Sequence, residues 1–170
     1  MYGNQINSAC DKAITELSKG NQEALSAIYD CMARMIFSVA YTITGSCEDA
    51  EDVLQDTMIE IIRYAHTYKS GSNARAWILT MARHLSIDLV RKRKPTIPLE
   101  EAERMEMQMD ESQLEVLDLL KILDEDEKQL VVFRLYGEMS YREISRVMEI
   151  SVAAAQKRYQ RAMKKLKKYL

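Results

Sequence analysis

The chain has 170 residues, of which 47% are hydrophobic and 29% charged, with only 5 Gly and 2 Pro. No apolar run approaches the roughly 20 residues of a spanning helix, and residues 1–10 lack the pattern of a signal peptide. We therefore expect a cytoplasmic protein without membrane insertion. Its three widely spaced cysteines, Cys10, Cys31 and Cys47, predict reduced thiols rather than a zinc site or a disulfide framework.

The formal net charge of −2 conceals strong segregation of charge along the chain. Residues 46–62 carry six acids and no base, and residues 63–95 carry eight bases and one acid. Residues 96–130 carry twelve acids and three bases, and residues 131–170 carry ten bases and three acids. Two basic blocks separated by acidic ones predict two contacts with nucleic acid, and a chance clustering of ordinary helix surfaces is the alternative.

Helical spacing of apolar residues predicts four helices in the first half of the chain. They cover about 7–19, 22–44, 47–64 and 74–93. Gly45 is placed for a left-handed C-cap, and Ser46 with Asp49 three residues later resembles a capping box with Asp in place of Glu. Because the connections are short, we expect these helices to form one compact bundle.

The second half of the chain reads as a linker followed by a smaller helical domain. Residues 96–111 are acidic and without clear periodicity. Capping patterns then start helices at Asp124, Ser140 and Ser151. The predicted fold is all-α, with an N-terminal helical bundle (1–95) and a C-terminal helix-turn-helix domain (112–170) joined by the acidic linker.

The last 31 residues are arranged as a helix-turn-helix. A short helix over 141–148 is followed by a three-residue connection and a long helix that continues to the last residue. We expect the inner face of the long helix to carry Val152, Ala155, Tyr159, Ala162 and Leu166. The candidate DNA-contacting residues are Gln156, Lys157, Arg158, Gln160, Arg161, Lys164 and Lys165. Gln and Arg can read base edges, and Lys suits phosphates, whereas the alternative is a basic helix that only packs or binds an acidic partner.

The third helix presents an acidic stripe. Asp49, Asp52, Asp56 and Glu60 recur every three or four residues and so share one outward side. This pattern suits a solvated face or a docking face for a basic partner. Because no His lies among these acids and parallel carboxylates repel each other, we predict no metal and no cofactor.

The basic block after this helix combines cations with aromatic residues. Candidate nucleic-acid contacts are His66, Tyr68 and Lys69 in the loop, and Arg75, Arg83, Arg91 and Lys92 on the fourth helix. Aromatic side chains can stack on unpaired bases while cations hold the phosphates. Trp77 lies on the apolar stripe of the fourth helix, which predicts a core position.

Two sets of motifs resemble a known family. Residues 48–56 (EDAEDVLQD), 75–78 (RAWI) and 82–88 (ARHLSID) resemble the first conserved domain of the extracytoplasmic-function sigma factors of bacterial RNA polymerase. Residues 135–145 and 150–165 resemble the second, DNA-binding domain of that family. The two sets occur in the family's order and together extend over nearly the whole chain, from about residue 24 to the end.

The resemblance implies a role for each candidate site. Asp49, Asp52, Gln55 and Asp56 would dock on the clamp helices of the largest polymerase subunit. Residues 65–73 and the helix from Arg75 would help to open the −10 promoter element and hold a flipped base. The last helix would enter the major groove of the −35 element, and the linker would run toward the active channel. An anti-sigma factor would hold the protein inactive.

Two other functions remain open from the residues alone. A conventional helix-turn-helix regulator, with an N-terminal bundle for ligand sensing or dimerisation, would bind specific DNA without polymerase. A helical hydrolase would use the acids of the third helix with His66 or His84 and a divalent metal, but no nucleophile–base pair or phosphate-binding loop supports it.

Overall fold

A computed structural model describes residues 2–93 and 120–169, with side chains from residue 5 onward. These residues form seven α-helices and no strand, which confirms the all-α prediction. The helices are α1 (Tyr2–Ser18), α2 (Ala24–Thr44), α3 (Cys47–Tyr64), α4 (Ala74–Lys92), α5 (Glu125–Leu135), α6 (Tyr141–Val147) and α7 (Val152–Leu166). The predicted linker, 96–111, and residues 112–119 lie outside the described residues.

Helices α1–α4 form the predicted N-terminal bundle, with α2 in its centre. Helix α2 packs against α1, α3 and α4. It is therefore buried on most of its circumference, and its fully covered residues include Ile28, Met32, Ile36 and Ala40. Helix α1 is longer than predicted and begins at Tyr2 rather than near residue 7.

The junction between α2 and α3 follows the predicted caps only in part. Gly45 has φ +70° and donates its N–H to the Tyr41 carbonyl at 2.8 Å, as a left-handed C-cap does. The Ser46 hydroxyl accepts from the Asp49 N–H at 3.3 Å. The expected return bond of a capping box is replaced, since the Ser46 N–H donates to Thr44 Oγ1 at 3.4 Å. The Asp49 carboxylate, one carbon shorter than a glutamate, pairs with Arg93 instead.

Helices α5–α7 form the second domain, and its caps agree with the sequence patterns. Asp124 and Ser140 each start a helix with a full capping box, and the Ser151 side chain accepts from the Ala154 N–H at 3.1 Å. Gly137 separates α5 from α6, where a Cβ would lie 2.7 Å from the Phe133 carbonyl oxygen. Any other residue there would push against the backbone of α5, so the turn requires glycine.

Helix α7 differs from its predicted form at both ends. It ends at Leu166 instead of continuing to the last residue. Ala155 and Ala162 are buried as expected, whereas Val152 is 39% exposed, so the predicted inner face is wrong at its first position. Val152 is the first residue of α7 and lies next to the turn, whereas Ala155 and Ala162 lie further along the helix, which packs on α5 and α6.

The two helical domains pack directly against each other. Helix α2 contacts α5, and α4 contacts α6. The buried apolar residues of both domains belong to one continuous core cluster. No local sequence pattern predicts this packing of the two domains, and the packing decides which candidate site residues face solvent.

Candidate nucleic-acid and protein interfaces

The helix-turn-helix places most of the predicted cations of its second helix in solvent. The turn between α6 and α7 is tight, and Glu149 within it has φ +56°. Ala155 and Ala162 pack inward, so the opposite side of α7 faces away from the protein. The exposed candidates on that side are Gln156, Lys157, Gln160, Arg161 and Lys164, and Lys165 is exposed at its edge. This surface has the shape and charge of a helix that enters the major groove.

Two of the predicted cations of α7 also bind the protein itself. Arg158 pairs with Asp126 in the first turn of α5 and is only partly exposed. Lys165 Nζ lies 2.6 Å from Glu127 Oε2, and the Glu127 side chain is 3% exposed. These pairs join α7 to α5, so they give Arg158 and Lys165 a structural role beside the DNA contact predicted for them.

The second basic site consists of the loop 65–73 and the helix that follows it. His66 and Lys69 are exposed on the loop, and Arg91 and Lys92 are exposed at the end of α4. The Tyr68 ring is half-buried and lies against Trp77, with ring centroids 5.1 Å apart and planes tilted by 55°. Burial raises the pKa of the Tyr68 hydroxyl to about 12, so it stays protonated and can donate.

Arg75 and Arg83, predicted to contact DNA, lie at the boundary between the two domains. Arg75 is only 5% exposed, and its guanidinium donates to the Glu138 carbonyl at 3.5 Å. Arg83 Nε donates to Gln129 Oε1 at 2.8 Å, and burial lowers the pKa of its guanidinium. In this arrangement Arg75 is covered, and Arg83 is half-buried and engaged with Gln129.

The acidic side of α3 keeps three of its four predicted docking residues exposed. Asp52, Gln55 and Asp56 face solvent along the helix. Asp49 differs, since its carboxylate pairs with Arg93 after the end of α4 and is largely covered. The surface available to a basic partner therefore begins at Asp52.

The same side of α3 also carries apolar residues that the sequence analysis did not assign to a site. Ile59 is 52% exposed and Ile62 is 44% exposed. Tyr29 of α2 is exposed beside Met58 and Leu25 in a shallow groove. Ile59 lies three residues after Asp56, so acidic and apolar side chains share one side of the helix. The three-residue spacing between Asp56 and Ile59 is the sequence feature that could have placed Ile59 on this exposed side.

The described residues lack a membrane-spanning helix, a metal-binding cluster and a disulfide. No helix of residues 2–93 and 120–169 is long and apolar enough to cross a membrane. In the same residues, no group of three or more His, Cys, Asp and Glu side chains is arranged to hold a metal ion. None of the three cysteines forms a disulfide.

Comparison with known proteins identifies both domains. The family Sigma-70 region 2 matches residues 28–96, and Sigma-70, region 4 matches residues 113–166. The chain is 27% identical to the ECF RNA polymerase sigma factor SigW of Bacillus subtilis (strain 168), over 94% of this chain and 95% of SigW. It is 21% identical to SigX of the same strain, over 88% of this chain and 84% of SigX.

Solved structures show the same fold. The structure of CnrH in complex with the cytosolic domain of CnrY matches with a TM-score of 0.72 and 24% identity, over 95% of this chain and 96% of that one. The sigma factor RpoE in complex with the anti-sigma factor NepR, from Bartonella quintana, matches with a TM-score of 0.65 and 17% identity, over 82% and 92% of the two chains.

The helix-turn-helix, the acidic α3 and the two matched regions define a sigma factor of the sigma-70 family. The chain belongs to the extracytoplasmic-function class of that family, the class of the relatives that it matches along most of their length.

Proposed function

We propose that the protein is a promoter-specificity subunit, which binds core RNA polymerase and directs transcription initiation at a limited set of promoters. The observation that carries this proposal is one chain with an exposed acidic and apolar side on α3 and an exposed basic side on α7, each in the matching sigma-70 region. The protein itself supplies no catalysis and acts in the cytoplasm.

Three surfaces would bind polymerase, the −10 element and the −35 element respectively. The exposed side of α3, from Asp52 to Ile62, docks on polymerase. The loop 65–73 and α4 hold the opened −10 strand, and α7 reads the −35 element. Unstacking a base costs a few kcal/mol, so polymerase and the upstream contact must both help to hold the open state. Contacts of Arg75 and Arg83 with DNA require α4 to separate from the second domain, because both groups face that domain.

An anti-sigma factor is the regulatory partner that we propose. Support comes from CnrH and RpoE, whose folds match this chain and whose structures contain CnrY and an anti-sigma factor respectively. A partner that covers the acidic and apolar side of α3 would compete with polymerase for the same surface.

Reconstituted transcription is the decisive test of this function. The full chain, mixed with core polymerase and genomic fragments, is expected to yield transcripts from a small set of promoters. The free chain alone is expected to bind the same DNA weakly. Tight core binding without any promoter-dependent transcript would overturn the proposal, and tight specific DNA binding without polymerase would support a conventional helix-turn-helix regulator.

Charge reversal on α3 tests the docking surface. We expect the double variant Asp52→Lys with Asp56→Lys to lose about tenfold or more in affinity for core polymerase, because both carboxylates are exposed and would attract a basic partner surface. Affinity is measured by titration with labelled protein, and circular dichroism checks the fold.

The matched control is Asp88→Lys with Glu125→Lys, which changes the net charge equally at exposed positions on α4 and α5. We expect it to retain core affinity. Equal affinity for both double variants would remove the docking role of Asp52 and Asp56.

A further inference from the structure

The loop 65–73 has few internal features that hold its shape. After the short 3-10 helix Ala65–Thr67, its backbone bonds are Tyr68 N–H to Ala65 O at 3.2 Å and Ser72 N–H to Lys69 O at 3.1 Å. Gly71 has φ +80°, and its neighbours Ser70 and Ser72 are exposed. Ordering each residue costs roughly 1–2 kcal/mol of backbone entropy, so a single conformation of such a loop needs support from outside it.

That support comes from one carboxylate on α1. Asp11 Oδ1 accepts from the Tyr68 hydroxyl at 2.7 Å and from the Gly71 N–H at 2.7 Å. Asp11 Oδ2 accepts from the Ser70 hydroxyl at 3.1 Å. The hydrogen bond from Tyr68, followed by that from the Gly71 N–H, lowers the pKa of Asp11, so the ionised form that accepts best prevails at neutral pH.

The same side of α1 also holds the start of α4. Asn7 lies one turn before Asp11, and its Oδ1 accepts from the Arg75 N–H at 3.1 Å. Asn73 caps α4 through the Ala76 N–H at 2.9 Å. Helix α1 itself is fixed in the core by Cys10 and Ile14, so it is a rigid support for both segments.

The consequence for the site is a defined placement of its aromatic and basic groups. With its hydroxyl held by Asp11, the Tyr68 ring lies against Trp77. His66 and Lys69 then project from a loop that is held by hydrogen bonds to Asp11 from Tyr68, before Ser70, and from Gly71, after it. A ring and cations in fixed positions are what selective stacking of an unpaired base needs.

We propose that Asp11 is a positioning residue for the −10 element, which sets the selectivity of the loop 65–73 without touching DNA itself. The inference rests on the proposed function and deepens it. It assigns to α1, which lies outside both matched family regions, a part in promoter selection. Asp11 acts through three donors that are 57 to 60 residues distant in sequence.

The test uses holoenzyme assembled from core polymerase and the full chain, on a promoter found with the wild type. Each −10 and −35 base pair is substituted in turn, and the rate of open-complex formation is measured. For Asp11→Ala we expect the discrimination against wrong −10 bases to fall roughly tenfold, equivalent to about 1.4 kcal/mol. Discrimination at −35 and core affinity are expected to stay unchanged. Faster hydrogen exchange at the Gly71 amide is expected as a readout independent of activity.

Two further variants and one control keep the test decisive. Tyr68→Phe removes one of the three bonds to Asp11, together with the longer contact of the Tyr68 hydroxyl with the Ser72 carbonyl at 3.3 Å, and should give a smaller loss of the same kind. Asp11→Asn keeps the shape but replaces one acceptor by a donor, and it stands in if Asp11→Ala does not fold. Glu16→Ala on the same helix removes an exposed acid that pairs only locally, with Lys19 at 2.9 Å, and should behave as wild type.

The outcomes separate the two proposals. Unchanged −10 discrimination in the folded Asp11 variants, or an equal loss at −10 and −35, would overturn the positioning role. A wild-type holoenzyme that gives no promoter-dependent transcript would overturn the proposed function instead.

Discussion

The role of an individual residue in this protein depends on what surrounds it more than on its type. Arg75 and Lys69 are cations of the same basic block, yet Arg75 is buried at the domain boundary and Lys69 is exposed on the loop. Asp49 and Asp52 share one helix, yet only Asp52 faces solvent. Asp11, which carries no motif, makes more long-range hydrogen bonds to the loop 65–73 than any predicted site residue.

The cysteines give a prediction at this scale. Burial raises the pKa of the Cys10 thiol to about 12, so at pH 8 its thiolate fraction is on the order of one in ten thousand. We expect Cys10 to resist a thiol reagent in the native protein, while the half-buried Cys31 and Cys47 react. Peptide mass spectrometry after timed labelling measures each site.

Unfolding in urea provides the control, because all three thiols are then expected to react at similar rates. Labelling of native Cys10 as fast as Cys31 would contradict the prediction.

At the scale of an element, α7 combines two tasks on two of its sides. One side holds the second domain together through Arg158 and Lys165, which pair with Asp126 and Glu127 of α5. The other side presents Gln156, Lys157, Gln160, Arg161 and Lys164 to solvent. Basic composition alone did not distinguish these tasks, because both use the same residue types.

Neighbouring lysines of α7 allow the two tasks to be separated. We expect Lys165→Ala to lower the free energy of unfolding by about 1–3 kcal/mol, because the buried Glu127 carboxylate loses its cation. We expect Lys164→Ala to leave stability within roughly 0.5 kcal/mol and to reduce the salt dependence of −35 DNA binding by about one counterion.

Urea unfolding and DNA titrations at several salt concentrations measure the two effects. If both variants shifted stability equally, the structural role of Lys165 would be wrong. If Lys164→Ala left the salt dependence unchanged, the DNA role of Lys164 would be wrong.

At the scale of the whole molecule, the closed packing of the two domains limits access to the proposed −10 site. Arg83 donates to Gln129 across the boundary, and Asn73 donates to Glu143. Nε and one terminal nitrogen of Arg75 are buried and, within the described parts of the chain, have no hydrogen-bond partner. Buried donors without partners cost about 1–3 kcal/mol each. The unpaired nitrogens of Arg75 therefore destabilise the closed arrangement of the two domains.

Weakening the boundary should therefore open the molecule. In Gln129→Leu the half-buried Arg83 loses its acceptor, and we expect the open population to rise roughly tenfold. Small-angle scattering should show a larger radius of gyration. The free chain should also bind single-stranded −10 DNA more tightly, because Arg75 and Arg83 become accessible.

The control is Gln22→Leu, at an exposed position between α1 and α2. It should leave both the scattering and the DNA affinity unchanged. Identical scattering and affinity for Gln129→Leu and the wild type would show that this contact does not limit opening.

The sequence by itself determined the helices, most of their caps and the helix-turn-helix. Helix α3 has the bounds predicted for it, and the capping boxes at Asp124 and Ser140 form as expected. These features depend on residues three or four positions apart, whose side chains meet whenever a helix forms. The candidate residues on α3 and α7 follow from the same short-range periodicity, and those on α4 follow from the charge of the basic block.

Only the tertiary structure decided which of those residues are open to a partner. Arg75 meets Glu138 across 63 residues of sequence, Arg83 meets Gln129 across 46, and Asp11 meets Gly71 across 60. No local pattern encodes such pairs, because each depends on how whole helices pack and on which side chains that packing removes from water. Short-range sequence patterns therefore specify the candidate residues of the two sites, and long-range packing determines which of these residues are exposed.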